Sequence, residues 1–175
     1  IFSDGNGDFT GSGITLDTSG NVGIGVAPVT DWDSFTALQI QGSSLSSLGE
    51  NNIVLGSNVY HASNAWKYYG TGAATLYQQR LGEHRWFGAA SGTAGNTASV
   101  TQHMTLDSAG SWMVGNTVPR TASQYSNQAG ASWYHTDQHF EVSTTGDRSA
   151  LEVGKNNAND GALITLRKQG ATVGS

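Results

Sequence analysis

Three short aromatic stretches carry the side chains best suited to binding a ligand. They read Trp66-Lys67-Tyr68-Tyr69, Arg85-Trp86-Phe87 and Trp133-Tyr134-His135. Exposed tryptophan and tyrosine rings stack on the C–H faces of sugars, while arginine and amide side chains bind sugar hydroxyls. The candidate glycan-binding residues are therefore Trp66, Tyr68, Tyr69, Arg85, Trp86, Trp133 and Tyr134. The alternative is that these rings pack inside or between subunits, with Arg85 in a structural cation–π contact.

Two segments contain the oxygen and nitrogen donors that metal ions bind. Residues 4–8 read Asp-Gly-Asn-Gly-Asp, like the start of a calcium loop, but Thr15 stands where an EF-hand needs glutamate. Residues 135–139 read His-Thr-Asp-Gln-His, and on a strand their histidines and aspartate would share one face. His135 and His139 would then lie roughly 13 Å apart, so only symmetry-related copies of one histidine could share an ion. We predict an Asp/Gly turn at 4–8 and a solvated or hydrogen-bonded strand face at 135–139. We predict neither a metal site nor a cofactor.

Catalytic groups are sparse in this sequence. Glycoside hydrolysis needs two carboxyl groups about 5 to 10 Å apart. The thirteen acidic residues are spread thinly, and nothing in the sequence pairs the four glutamates, Glu50, Glu83, Glu141 and Glu152. The sequence has no cysteine nucleophile and no Gly-x-Ser-x-Gly elbow. We predict that the chain is not an enzyme, the alternative being a polysaccharide depolymerase whose active site forms between subunits.

Charge and hydropathy argue against two further classes of partner. The net charge is −5 and the eight lysines and arginines are scattered, whereas nucleic-acid binding needs a clustered basic surface. No run of apolar residues is long enough for a membrane-spanning helix, so we predict no membrane insertion. The first residue is Ile1 rather than methionine, and we expect a segment of a longer chain.

The composition indicates a chain that shares its apolar surface with copies of itself. Hydrophobic residues make up 37% of the sequence, below the roughly 45–50% of a soluble domain, and charged residues only 12%. Short glycine-rich hairpins are marginally stable alone, so their apolar side chains need partners. We expect an obligate oligomer whose axis buries Leu16, Val22, Ile24, Leu106, Val114, Leu151, Val153, Leu163, Ile164 and Leu166.

One hairpin-like segment occurs twice, ninety positions apart. Residues 14–25 and 104–115 share the form apolar-Thr-Leu-Asp-x-x-Gly, followed by a second apolar strand and a glycine. Asp17 and Asp107 are placed to accept hydrogen bonds from turn amides, and the glycine three residues later can adopt a positive φ. The repeat predicts two β-hairpins of one type.

Strand signals continue through the rest of the chain. Short β-rich runs separated by glycines predict strands at 52–60, 65–69, 74–80, 84–89, 99–106, 132–135, 139–142, 150–153 and 163–167. Looser copies of the hairpin run over 140–154 and 164–174, and residues 31–38 fit a short helical turn. Because no helical periodicity exceeds two turns, the sequence predicts an all-β fold.

Three motifs follow one another in a distinctive order along the chain. Residues 16–25 read LDTSGNVGIG, residues 82–86 with 104–107 read GEHRW and MTLD, and residues 161–175 end in ITLRKQGATVGS. In this order the motifs resemble bacteriophage tail-fibre and tailspike proteins of the endosialidase type, which end in a self-cleaving intramolecular chaperone. The last motif looks like the stretch just ahead of that chaperone.

The resemblance implies a homotrimer of intertwined β-structure, located in the virion as part of the phage tail. It implies recognition of a host cell-surface polysaccharide or lipopolysaccharide, and a C-terminal chaperone domain as partner during folding. The catalytic serine and aspartate of that chaperone would lie beyond Ser175. The chain would then end close to the maturation point.

Together, the residues and the resemblance predict three segments. Residues 1–29 form a β-hairpin shaft segment, and residues 30–116 form a β-rich globular unit, a small β-sandwich or β-prism. Residues 117–175 form a β-shaft or β-prism leading to the chaperone junction, with a triple β-helix from about Phe140.

Three functions follow from these features. The favoured one is a structural and host-receptor-binding segment of a phage tail fibre that recognises cell-surface glycan. Scarce carboxyl groups disfavour a depolymerase. The absence of coiled-coil heptads disfavours a bacterial trimeric adhesin stalk.

Overall fold

The computed structural model describes residues 13–115, 129–136, 138–144 and 151, and the backbone of 166–168 and 171–174. The regular structure in these residues is all β-strand, so the predicted all-β class is confirmed. The strands are β1 Ile14–Leu16, β2 Val22–Ile24, β3 Thr36–Ile40, β4 Ser43–Ser47, β5 Asn52–Ser57, β6 Val59–Ala62, β7 Ala65–Tyr68, β8 Gly72–Arg80, β9 Glu83–Gly92, β10 Thr101–Leu106, β11 Trp112–Val114, β12 Gly130–Tyr134, β13 His139–Ser143, β14 Leu166–Lys168 and β15 Ala171–Gly174.

One eleven-stranded sheet organises most of these strands, in the order β1-β2-β3-β4-β5-β8-β9-β10-β11-β12-β13. Neighbouring strands are antiparallel except β2 and β3, which are parallel because the loop over 25–35 returns the chain before β3 begins. Strands β6 and β7 pair with each other, as do β14 and β15. The large sheet takes strands from all three expected segments, 1–29, 30–116 and 117–175.

The two repeated hairpins have the same turn. Asp17 accepts hydrogen bonds from the amides of Ser19 (2.9 Å) and Asn21 (2.8 Å), and Asp107 accepts the equivalent pair from Ala109 (2.9 Å) and Ser111 (2.8 Å). The glycines three residues after each aspartate have φ values of 87° and 88°. The predicted role of the aspartates and glycines is therefore confirmed.

The residue that follows each turn glycine connects its hairpin to the next strand of the sheet. Asn21 accepts a hydrogen bond from the backbone amide of Ala37 (2.9 Å), and the Ser111 hydroxyl accepts one from the amide of His135 (3.2 Å). Asn21 also donates its side-chain amide to Asp17 (2.8 Å). One polar side chain thus fixes both the turn and the neighbouring strand.

The core lies where the β6–β7 hairpin and the loop before β3 pack on the sheet. Trp32 and Phe35 of that loop contact a buried cluster that includes Val54, Val59 and Leu76. The helical turn expected at 31–38 was wrong, because residues 31–35 form an irregular segment that inserts two aromatic rings into the core and residues 36–38 already belong to β3. Burial of two large rings outweighs local helix propensity.

The two faces of the sheet have opposite characters. The buried face carries many small and polar side chains, among them Gln39, Ser44, Ser46, Thr105 and Ser132. The other face, called here the open face, carries large apolar side chains that remain accessible to water, such as Leu55, which is 56% exposed. In a folded monomer the usual arrangement is the reverse.

One continuous row of apolar residues crosses the open face, with one residue from each strand paired to the next. The members of this row, called here the apolar row, are Leu16, Val22, Leu38, Leu45, Leu55, Tyr77, Trp86, Met104, Val114, Ala131 and Val142. None of the eleven is buried in the chain. Leu16, Val22, Ile24, Leu106 and Val114, all expected at a shared axis, lie on this face.

Strand β4 was missed in the sequence because four of its five residues are serine. Its alternation is unusual, since Ser44 and Ser46 are buried while Leu45 is exposed. The looser hairpin over 164–174 is confirmed in its backbone as β14 and β15. The loop at 4–8 and most of the looser copy over 140–154 lie outside the described residues, and the proposed triple β-helix is not tested by those that are described.

Candidate functional site

The seven candidate glycan-binding residues are distributed over three places. Trp66 lies on β7 in a ring cluster, with centroids 5.5 Å from Phe35 and 5.0 Å from His61. Tyr68 is buried, and its hydroxyl donates to the Ala90 carbonyl (2.5 Å). Its ring lies so close to the backbone of β9 that a Cβ on Gly92 would overlap it. Both residues therefore make structural contacts within the chain.

Tyr69 follows β7 and packs on the turn after β3. A Cβ on Gly42 would lie 3.2 Å from the Tyr69 ring, so the glycine lets the ring approach the backbone closely. The Tyr69 amide donates to the Asn58 carbonyl (3.2 Å). Tyr69 remains half-buried, so part of its ring is accessible.

Arg85 and Trp86 point to opposite faces because they are adjacent on β9. The Arg85 guanidinium pairs with Glu83, with Nε donating to Oε2 (2.7 Å), so this candidate for glycan binding makes an ion pair within the chain. Trp86 lies on the open face, 37% exposed, with its ring centroid 5.2 Å from that of Tyr77.

Trp133 and Tyr134 are divided in the same way at β12. Trp133 pairs with Trp112 and Phe140 on the open face and is half-buried. Tyr134 is buried on the other face, stacked on His139 with ring centroids 4.8 Å apart. Of the seven candidates, only Trp86 and Trp133 belong to the open face, on strands separated by β10 and β11.

His135, Thr136 and Gln138 lie in a turn, so the strand face expected over 135–139 was wrong, while the strands predicted at 132–135 and 139–142 are confirmed as β12 and β13. Tyr134 pairs with His139 across the β12–β13 hairpin, so His135 lies in the turn between these strands. The turn reverses the chain and brings the aromatic residues of both strands side by side. No group of three or more metal-binding side chains occurs among the described residues.

A polar contact of Asp33 fixes the position of the β6–β7 hairpin. Asp33 binds His61 Nδ1 through one carboxylate oxygen and the amide of Asn64 through the other (2.6 Å). The hydrogen bond from the Asn64 amide contributes most to a pKa of Asp33 below its ordinary value, and His61 adds to this effect. Asp33 thus acts as a clasp between the loop before β3 and the hairpin.

A polar cleft of about 360 Å³ opens between the β4–β5 turn and the β8–β9 turn. The residues lining it include Glu50, Asn51, Ile53, Gln79, Arg80, Leu81, Glu83 and His84. The sequence does not indicate this cleft, because its residues come from two turns that are distant in sequence. The amide pairs at 51–52 and 78–79, each near a turn glycine, were the available signal.

The frame of the cleft is well ordered by hydrogen bonds. The Leu81 amide donates to the Asn51 carbonyl (3.0 Å), which joins the two turns. Asn52 accepts a hydrogen bond from the Gln78 side chain (2.8 Å), and His84 Nδ1 is hydrogen bonded to the Tyr77 hydroxyl. The backbone around the cleft is therefore fixed before any ligand binds.

No family model, curated protein or solved structure matches this chain. The described residues include no helix that is long and apolar enough to cross a membrane.

Proposed function

We propose that the chain is a structural and host-receptor-binding segment of a homotrimeric phage tail fibre, located in the virion and recognising cell-surface glycan. The observation that carries this proposal is the apolar row on the open face. A sheet that buries polar side chains such as Gln39 and Ser46 beside its core, while a continuous apolar row stays exposed, is incomplete as a monomer. Copies of the same chain would complete it by covering that face.

The size of the open face supports an interface between copies. Eleven strands about 4.8 Å apart give a row roughly 48 Å long, and three same-face residues along a strand span roughly 14 Å. The resulting area, roughly 700 Å², is close to the about 800 Å² that each partner contributes to a stable protein interface. Three such faces around an axis would form a β-prism.

The charge of the open face supports the same interface. None of the residues that the described strands place on this face is aspartate, glutamate, lysine or arginine. The nearest charged strand residues, such as Arg85 and Glu141, belong to the opposite face. An uncharged apolar surface can face copies of itself without burying unpaired charges.

The molar mass of the full chain in solution tests the trimer. We expect light scattering to give three times the chain mass of 18.3 kDa, with a species that resists detergent until heated. A stable monomer would contradict the proposal and would favour a single-chain β-structured lectin. Binding of the trimer to purified capsular polysaccharides and lipopolysaccharides then tests receptor recognition, and no binding to any of them would leave only the structural role.

A depolymerase is the second candidate, because Glu50 and Glu83 line the same cleft. Hydrolysis of a glycosidic bond needs an acid and a second free carboxylate. Glu83 is engaged by Arg85, whereas Glu50 has no hydrogen bond or ion pair within the part of the chain that the structure describes. We therefore favour binding over hydrolysis, and sustained release of reducing ends from bound polysaccharide would reverse this choice.

A further inference from the structure

We infer that the polar cleft between the β4–β5 and β8–β9 turns binds one neutral pyranose unit of a glycan. This inference rests on the proposed function, since it assigns a place to the glycan recognition. It moves that recognition away from the aromatic candidates, most of which pack against other parts of the chain. The volume of about 360 Å³ falls within the range of small-ligand sites.

Four exposed side chains of the cleft are available to a ligand. Those of Glu50, Asn51, Gln79 and Arg80 make no hydrogen bond or ion pair with another described residue. Together these groups supply both donors and acceptors with planar geometry, which suits pairs of adjacent sugar hydroxyls. A ligand that only donates or only accepts would leave half of them unused.

The charged side chains of the cleft balance one another. The free carboxylate of Glu50 and the free guanidinium of Arg80 cancel, and Glu83 is already paired with Arg85. The cleft therefore has no excess charge to select an acidic or a cationic ligand. This balance favours a neutral sugar over a uronic acid or another anionic unit.

The apolar part of the wall is formed by Ile53 and Leu81, which are 40% and 65% exposed. Ile53 and its partner Gln79 lie on the open face, one same-face position beyond the apolar row and at the ends of their strands, so the cleft lies at the polar rim of the proposed interface. A pyranose ring presents a C–H face and an equatorial rim of hydroxyls, so one side of the ring can contact these aliphatic groups while its rim meets the polar ones. The fixed frame described above lowers the entropic cost of binding.

The experiment is a titration of the assembled full chain with neutral gluco-, manno- and galacto-oligosaccharides, and with an oligogalacturonate as the acidic probe. Chemical shifts of the Asn51 and Gln79 side-chain amides locate binding, and calorimetry measures affinity. We expect at least one neutral oligosaccharide to shift both amides, and Gln79→Ala to weaken its binding by about tenfold or more. Asn96→Ala, at an exposed asparagine outside the cleft, should bind like the unmodified chain.

Three results would overturn the inference. They are a preference for the oligogalacturonate, shifts confined to residues outside the cleft, and equal affinity in the Gln79→Ala variant and the unmodified chain. If the assembled chain binds a surface polysaccharide and Gln79→Ala does not change that affinity, the cleft assignment fails while the proposed function stands. If it binds no glycan at all, the cleft assignment and the receptor-binding part of the proposed function both fail, and only the structural role stands.

Discussion

The carboxylate of Asp33 is hydrogen bonded to Nδ1 of His61, and this contact joins the loop before β3 to the β6–β7 hairpin. The same hairpin packs Trp66 against Phe35, so the clasp holds an aromatic cluster on the sheet. Hairpins alone are marginally stable, so the position of β6 and β7 depends on this clasp and on the rings beneath it.

The first prediction concerns the loss of folding stability at acidic pH. The pKa of Asp33 is lower in the folded chain than in the unfolded chain. At pH values between the two pKa values, the unfolded chain therefore binds the proton more strongly, and acid favours unfolding. The contribution of Asp33 to stability is therefore present above about pH 4 and is lost as pH falls through the lower, folded-state value. We expect the urea midpoint to fall less steeply between about pH 5 and pH 3 in Asp33→Asn than in the unmodified chain.

Hydrogen exchange in β6 and β7 localises this effect. At neutral pH, Asp33→Asn should speed exchange there while β4 and β5 keep their protection. Asp31→Asn is the matched control, since it removes the same charge two residues away and the one hydrogen bond of the Asp31 side chain to a described residue is to Thr30 (3.4 Å). Equal acid sensitivity in both variants would show that the clasp does not govern the hairpin.

The second prediction concerns the repeated turns. Replacing Asp17 or Asp107 by alanine removes two hydrogen bonds to turn amides, and each change should lower the free energy of unfolding by about 1–2 kcal/mol. The loss should be larger at Asp17, which also binds the side chain of Asn21. Thr18→Ala changes an exposed neighbour in the same turn and should have little effect. Chemical denaturation distinguishes these outcomes, and equal stability of all three variants would contradict the prediction.

The third prediction concerns two adjacent serines of β4. Ser46 is buried beside Ala37 and Val54 with no hydrogen-bond partner for its hydroxyl, so Ser46→Ala should stabilise the chain by about 1 kcal/mol. The Ser47 hydroxyl lies within hydrogen-bond distance of the carbonyls of Gly49 (3.1 Å) and Asn52 (3.0 Å) and shares its one proton between them, so Ser47→Ala should destabilise the chain by a similar amount. Thermal unfolding of the two variants gives the signs, and a loss of stability in Ser46→Ala would refute the first of them.

The fourth prediction concerns the strained residue of the β8–β9 turn. Leu81 has a φ of 54° and precedes Gly82, with a φ of 82°, which is the geometry of a two-residue turn that favours Asn-Gly. Leu81→Asn should therefore raise the free energy of unfolding by about 1 kcal/mol. Leu48→Asn, at an exposed leucine without a positive φ, should bring no gain. The same denaturation curves test both, and a gain at both positions would show that backbone strain is not the cause.

The fifth prediction concerns the apolar row. Leu55 is the most exposed of its leucines, and Leu55→Lys would place a charge in the middle of the proposed interface. We expect the solution mass to fall from three chains to one while the circular dichroism spectrum is kept. Leu48→Lys, at a leucine outside the row with 42% exposure, should leave the mass unchanged. A trimer that tolerates Leu55→Lys would move the interface to another surface.

Local chemistry explains which parts of the fold were visible in the sequence. The turns at Asp17 and Asp107 were predictable because each is specified by an aspartate and a glycine within four residues. Strand β4 was not, since serines give no hydrophobic alternation, and its pairing with β3 and β5 depends on residues elsewhere. The segment over 31–38 was misread because its local pattern fits a helical turn while Trp32 and Phe35 are held by tertiary packing.

The candidate site was harder to predict than the fold. Aromatic residues signal both sugar binding and packing, and only the structure distinguishes Trp86 on the open face from the buried Tyr68. The polar cleft brings Asn51 beside Gln79, which are 28 positions apart and meet only because β5 pairs with β8 across the intervening hairpin. The spacing of Asn51 and Gln79 in the sequence does not indicate that they are neighbours in the fold.

The apolar row changes in bulk along its length, and this gives the sheet a direction. From β1 to β5 it is aliphatic, at its centre stand the rings of Tyr77 and Trp86, and towards β13 it narrows to Ala131 and Val142. Two copies that shift past each other by a single strand would bring residues of different bulk opposite one another. In the proposed trimer, this gradient would favour one alignment of the copies. The surface that drives assembly would then also specify its register.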